Sequence, residues 1–212
     1  MNHPLILSVV TGSRAYGLEH EGSDIDRRGV FVPPTADFWH LDKPPTHYDG
    51  PLPEQFSWEV ERFCVLALAA NPTVLECLWS PIVEVRTEHG ERLLGLRNAF
   101  LSERARQTFT GYANDQFRRL DPARPKLKQA MHMIRLLLSG LHLVTHGEPL
   151  VRVDAHRDRL LAIKHGRMPW AEVEDWRRRL AAELTGAASV LPAAPDRAAV
   201  DDFLTGVRRD HL

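Results

Sequence analysis

The run Leu5-Ile-Leu-Ser-Val-Val10, cut off by Thr11-Gly12, constrains the fold more than any other stretch of the chain. It is too short for two helical turns and is rich in β-branched residues, so it reads as a buried strand. Gly12-Ser13 then leads into Arg14-Ala-Tyr-Gly17, where Ser13 can cap a short helix. After a polar loop, Ser23-Asp-Ile-Asp-Arg-Arg-Gly-Val-Phe-Val32 reads as a second strand, ended by Pro33-Pro34. Residues 35–53 carry prolines, Asp and His, which fits a loop or a short edge hairpin. Residues 54–58 form a brief third strand. Val60, Phe63, Cys64, Ala67 and Leu68 recur at helical spacing and predict an amphipathic helix that stops before Asn71-Pro72.

Beyond residue 86 the periodicity turns helical. Helices are predicted over 88–101, 102–120, 126–145, 154–164, 168–185 and 196–208, separated by Pro122, Pro125, Gly147-Glu-Pro149, Pro192 and Pro195. The expectation is an α+β fold: a small mixed-sheet module over residues 1–85, followed by a helical bundle over residues 86–212.

With 43% hydrophobic and 26% charged residues, the 212-residue chain is long enough to bury a core and has globular rather than disordered composition. Residues 1–85 hold twelve Asp/Glu against five Lys/Arg, and residues 86–212 hold sixteen against twenty-two. An acidic half is thus joined to a basic one. Two solvated surfaces would give this asymmetry, and so would a carboxylate metal site facing a phosphate-binding surface. Cys64 and Cys77 sit in apolar helical patterns without ligand spacing and read as core residues. No apolar run approaches the roughly 20 residues that span a bilayer, so the expected setting is cytoplasmic, with no membrane partner.

Candidate chemistry centres on Asp24 and Asp26. Residues two apart on a strand share a face, so both carboxylates would project together. Such a pair repels itself unless a cation neutralises it, and Mg²⁺ or Mn²⁺ suits hard oxygen ligands completed by water and phosphate. Asp-x-Asp is also common in surface turns. The turn at Gly12-Ser13, about ten residues earlier, changes the weighing, because glycine lets backbone N–H groups approach an anion. One element can hold triphosphate oxygens while its neighbour holds the metals that bridge them.

These segments resemble the Gly-Ser…Asp-x-Asp signature of polymerase-β-type nucleotidyltransferases. The wording is closest to the RNA repair pathway polymerase β family. The similarity continues through Glu59-Val-Glu-Arg-Phe, Asn71-Pro-Thr-Val-Leu-Glu-Cys-Leu-Trp79, Lys128-Gln-Ala-Met-His-Met-Ile-Arg135 and Leu161-Ala-Ile-Lys-His-Gly166. The resemblance implies a palm-like sheet with Gly12, Ser13, Asp24 and Asp26 at the active site. It also implies a third carboxylate after the Asp pair, at Glu54 where an Asp is usual, with Glu59 as the alternative. A nucleoside triphosphate would be the donor and an RNA 3′ end the acceptor. Transfer to a small molecule or a protein side chain uses the same chemistry, and a nucleotide-binding module without turnover is the reading from another class.

On the helix predicted over 126–145, Lys128, His132, Arg135, Ser139 and His142 form one stripe, and the helix carries no acid. Lys128, His132 and Arg135 are therefore candidate contacts for a nucleotide or an RNA phosphate, against the plainer reading of an exposed helix face. Arg14, Arg27 and Arg28 flank the site motifs as further phosphate ligands, though Arg28 equally suits pairing with the acidic loop. Tyr16 either stacks on a base or packs its own helix.

Overall fold

A computed structural model describes residues 3–121 and 124–212; Pro122, read above as a helix breaker, lies outside the described residues. Five strands form one mixed sheet: β1 (Leu5–Thr11), β2 (Asp26–Phe31), β3 (His47–Asp49), β4 (Gln55–Glu59) and β5 (Val83–Arg86). Their order across the sheet is β3-β4-β2-β1-β5. β1 runs antiparallel to both β2 and β5, whereas β2 and β4 are parallel, with Arg27 opposite Gln55. β1 is buried along nearly its whole length, as its apolar run requires. β2 begins half-buried and becomes fully buried only from Gly29 onward. Its first residues are thereby left at an open end of the sheet.

Between β1 and β2 lies the short helix α1 (Gly12–Tyr16), which Gly17 ends in a left-handed conformation. α2 (Val60–Leu68) buries Val60, Phe63, Cys64 and Ala67, four of the five residues its periodicity pointed to. Asn71 then caps a separate helix, α3 (Pro72–Leu78), with Pro72 at its first turn, where a missing N–H does no harm. The helices that follow are α4 (Glu88–Gly95), α5 (Arg104–Arg118), α6 (Leu127–His146), α7 (Arg157–Lys164), α8 (Trp170–Gly186) and α9 (Arg197–Asp210). The expected 88–101 helix breaks after Gly95 into a 3-10 turn, Arg97–Phe100. α6 is the hub of the helical region and packs against α5, α7 and α8.

The fold is α+β with a C-terminal helical region, as anticipated. Two features cross the expected 85/86 division. β5 straddles it and completes the sheet, and α9 returns to pack on α2. One hydrophobic cluster runs from Val9 and Val30 in the sheet through Leu75 and Phe109 to Met133 and Leu184 in the helices. Among the described residues, no helix is long and apolar enough to cross a membrane.

Candidate active site

A cavity of about 540 Å³ opens where α1, the start of β2 and the N-terminal half of α6 meet. Gly12, Ser13, Asp24, Asp26, Arg28, Glu54, Lys128 and His132 all line it. Residues scattered over more than a hundred sequence positions are thus brought to one wall. The Gly-Ser turn takes its shape from Gly12, at a positive φ of 66°. A Cβ on Gly12 would overlap the Asp26 carboxylate, so the glycine is what lets that carboxylate lie against the turn. Thr11 occupies the N-cap position of α1 without a side-chain cap bond, and Ser13 lies inside the helix. The expected capping role of Ser13 is therefore not its role here.

Asp26 is the first residue of β2 and Asp24 precedes the strand in an exposed irregular segment, so the pair is not presented by regular strand alternation. Arg14 fixes that segment: its guanidinium donates to the carbonyl oxygens of Ser23 (2.9 Å) and Asp24 (3.3 Å). It is not among the residues lining the cavity, and in this structure its guanidinium braces the segment before β2. Arg28 does line the cavity, donating to the carbonyl oxygens of Arg27 (2.7 Å) and Glu54 (3.2 Å). Arg27 instead pairs with Glu84 of β5 at 2.8 Å.

Glu54 sits just before β4, beside Asp26, because the Arg27 N–H donates to its carbonyl at 2.9 Å across the parallel strands. Glu59 is elsewhere. Its buried carboxylate caps α2 through the N–H groups of Glu61 and Arg62 and pairs with Arg208 at 2.6 Å. Burial pushes its pKa up, against the pull of Arg208. Both Glu59 carboxylate oxygens are so engaged, and Glu59 has no place in the cavity wall, whereas Glu54 does.

The stripe on α6 divides. Lys128 and His132 face the cavity, whereas Arg135 is buried at 4% exposure and donates to Glu76 at 2.6 Å. The other Glu76 oxygen accepts from the Tyr16 hydroxyl at 3.0 Å, and the Arg135 guanidinium lies 3.7 Å from the Tyr16 ring centroid. Burial drags the Arg135 pKa down, but the Glu76 carboxylate and Tyr16 outweigh it and hold the guanidinium charged. The nucleotide contact expected of Arg135 is thus replaced by a buried ion pair. Tyr16 both packs there and edges the cavity. Burial, aided by Arg135, Lys128 and Lys164, pushes the His132 pKa down to about 4, so its imidazole is neutral at pH 7. Lys164, in α7, also lines the cavity; its appearance in the Leu161-Ala-Ile-Lys-His-Gly166 segment was the one signal that could have found it.

Among the described residues, the Asp24, Asp26 and Glu54 carboxylates have no ion-pair partner within 4.0 Å, although lysine and arginine share their cavity. No three His, Cys, Asp or Glu side chains converge into a ready metal cage among those residues. The donor set fits magnesium or manganese, which commonly take one or two carboxylates and complete their shell with water and substrate phosphate. It does not fit zinc, which wants a compact nitrogen and sulfur set.

A family model matches residues 1–206, spanning both the sheet and the helical region. The chain belongs to the RNA repair pathway DNA polymerase beta family. That family is named for polymerase-β-type enzymes of RNA repair, and the match covers every cavity residue described above. An uncharacterized protein of Bacillus subtilis (strain 168), YcgL, is 26% identical over 149 residues, covering 68% of this chain. The matched part spans 57% of that relative's length. No solved structure matches this family member.

Proposed function

We propose that the chain is a metal-dependent nucleotidyltransferase, moving a nucleotidyl group from a nucleoside triphosphate to an acceptor hydroxyl with release of pyrophosphate. The observation that carries this reading is one cavity lined by Asp24 and Asp26, by the Gly12 turn against which the Asp26 carboxylate lies, and by Lys128 and Lys164. Asp24, Asp26 and Glu54 are the residues that would hold Mg²⁺ or Mn²⁺. Bound there, the metal would neutralise triphosphate charge and lower the pKa of the attacking hydroxyl.

The rest falls to the chain itself. The Gly12-Ser13 backbone and the Ser13 hydroxyl hold phosphate oxygens at close range. Lys128 and Lys164 act as mobile positive charges over the phosphates, and Arg28 adds a planar donor fork. His132, uncharged, contributes a hydrogen bond without repelling the neighbouring lysines. The acceptor is an RNA 3′ end, a reading supported by the family and by the excess of basic residues after position 86.

Incubating the protein with each labelled triphosphate, Mg²⁺ or Mn²⁺, and RNA, DNA or no acceptor tests this directly. Transfer to RNA that is abolished in Asp24→Asn/Asp26→Asn is the expected result. Label transfer that persists in the double variant would sink the assigned site, and no transfer by the parent would favour a nucleotide-binding module.

A further inference from the structure

A second cavity, of about 570 Å³, opens on the helical region and shares no lining residue with the first. Its floor is apolar: Leu138 and Leu180 are buried, Leu141 and Leu150 are half-buried, and Trp176 closes one side. Its rim is polar and largely aromatic. The rings of His142 and His146, one turn apart on α6, stack at 4.2 Å with an interplanar angle of 11°. The Arg159 guanidinium of α7 lies over Trp176, its carbon 3.7 Å from the ring centroid.

The lining carries two guanidiniums, Arg159 and Arg179, against one carboxylate, Glu183. Arg179 is engaged by Asp175 at 3.1 Å, and among the described residues no carboxylate, Glu183 included, lies within 4.0 Å of Arg159. The His142 Nδ1 lies 2.8 Å from the carbonyl oxygen of Glu148 and must donate to it, since a carbonyl only accepts. That bond holds the ring in place at the mouth. An apolar floor, aromatic rings at the rim and one planar cation without a carboxylate partner are the ingredients of a small-molecule site. They do not suit a hard divalent cation, since the lining offers a single carboxylate, Glu183, beside two guanidiniums.

We propose that this cavity binds a planar aromatic acid, its ring between the leucine floor and the His142/His146 stack and its acidic group on Arg159. A purely inorganic anion would leave the floor wet, and a neutral hydrocarbon would leave Arg159 without its counter-charge. α6 separates the two cavities: His132 and His142 are ten residues apart, roughly 15 Å along the helix at 1.5 Å per residue. The site therefore stands apart from the proposed nucleotidyl transfer and does not depend on it.

The test uses the full chain, ¹⁵N-labelled and free of nucleotide, and reads binding at a residue that lines the second cavity and not the first. 8-Anilinonaphthalene-1-sulfonate is titrated while the Trp176 indole N–H, assigned through Trp176→Phe, is followed by NMR. A saturable shift of that signal is expected. Arg159 is solvent-exposed, so Arg159→Glu should leave the other resonances in place while weakening the probe about tenfold or more, the scale of one charge-assisted hydrogen bond. Thr145→Trp, which fills the mouth, should abolish the shift. An unmoved Trp176 signal, equal affinity in Arg159→Glu, or the same shift from sodium sulfate alone would each overturn the proposal.

Discussion

Gly12 and Asp26 show how little room the candidate site leaves at the level of single residues. The turn needs a positive φ, and the space a Cβ would occupy is already taken by the Asp26 carboxylate. Gly12→Ala should keep the fold but displace Asp26, lowering transfer by about 100-fold, the scale of a 1 Å misplacement of a reacting group. Steady-state transfer assays beside a circular dichroism spectrum check this. His132 carries a second consequence. Its pKa is pushed from 6.5 down to about 4 by burial and the nearby cations. Below pH 6.5 the unfolded chain takes up a proton that the folded chain refuses, so stability falls as pH drops from 6.5 towards 4. Between those limits His132→Gln should recover about 2 kcal/mol, discounted for residual solvent screening, in urea titrations at pH 7 and pH 4.5.

Between elements, the Tyr16–Glu76–Arg135 network ties α1, α3 and α6 together behind the cavity. A lone buried charge is costly, so removing one partner matters more than the net worth of the pair. Glu76→Ala should lose about 3–5 kcal/mol in chemical denaturation, because Arg135 would stay buried and unpaired. A loss below 1 kcal/mol would mean that water reaches Arg135. The loop after α6 adds a second tie to α1: Val153 donates to the Tyr16 carbonyl at 3.1 Å and Arg157 to that of Gly17 at 2.9 Å. Sequence periodicity found α6 and its stripe, because twenty residues offer many repeats. It could not separate Lys128 and His132, at the cavity, from Arg135, which points into the core. That depends on which neighbours a helix face meets. The short strand β5 was also missed, although Val83-Glu-Val-Arg86 alternates with period two; four residues are too few for the pattern to stand out.

At the scale of the whole molecule, the C-terminal helix closes back on the sheet. Arg208 of α9 pairs with Glu59 at 2.6 Å and covers Phe38 at 4.1 Å from its centroid. Thr35 meets the same end, donating to the Arg208 carbonyl at 2.6 Å. Arg208→Ala would strand the Glu59 carboxylate and should cost about 2–3 kcal/mol, less than a wholly buried pair because Arg208 keeps some water. One continuous core implies one cooperative unit. Far-ultraviolet and near-ultraviolet unfolding curves should coincide in the parent and in Arg208→Ala, and two separated transitions would show that the sheet and the helices unfold independently.

The sequence by itself determined which segments are strands and helices over most of the chain, and which residues could carry chemistry at Gly12, Ser13, Asp24 and Asp26. Those are local matters of apolar spacing, glycine and paired carboxylates, written within a few residues of one another. Only the tertiary structure put Glu54 in the cavity wall and Glu59 against Arg208, brought Lys164 to the cavity and took Arg135 out of it. Each of those outcomes depends on long-range packing: the parallel register of β2 and β4, the return of α9 to Glu59, and the burial of Glu76 against α6. No spacing along the chain encodes them.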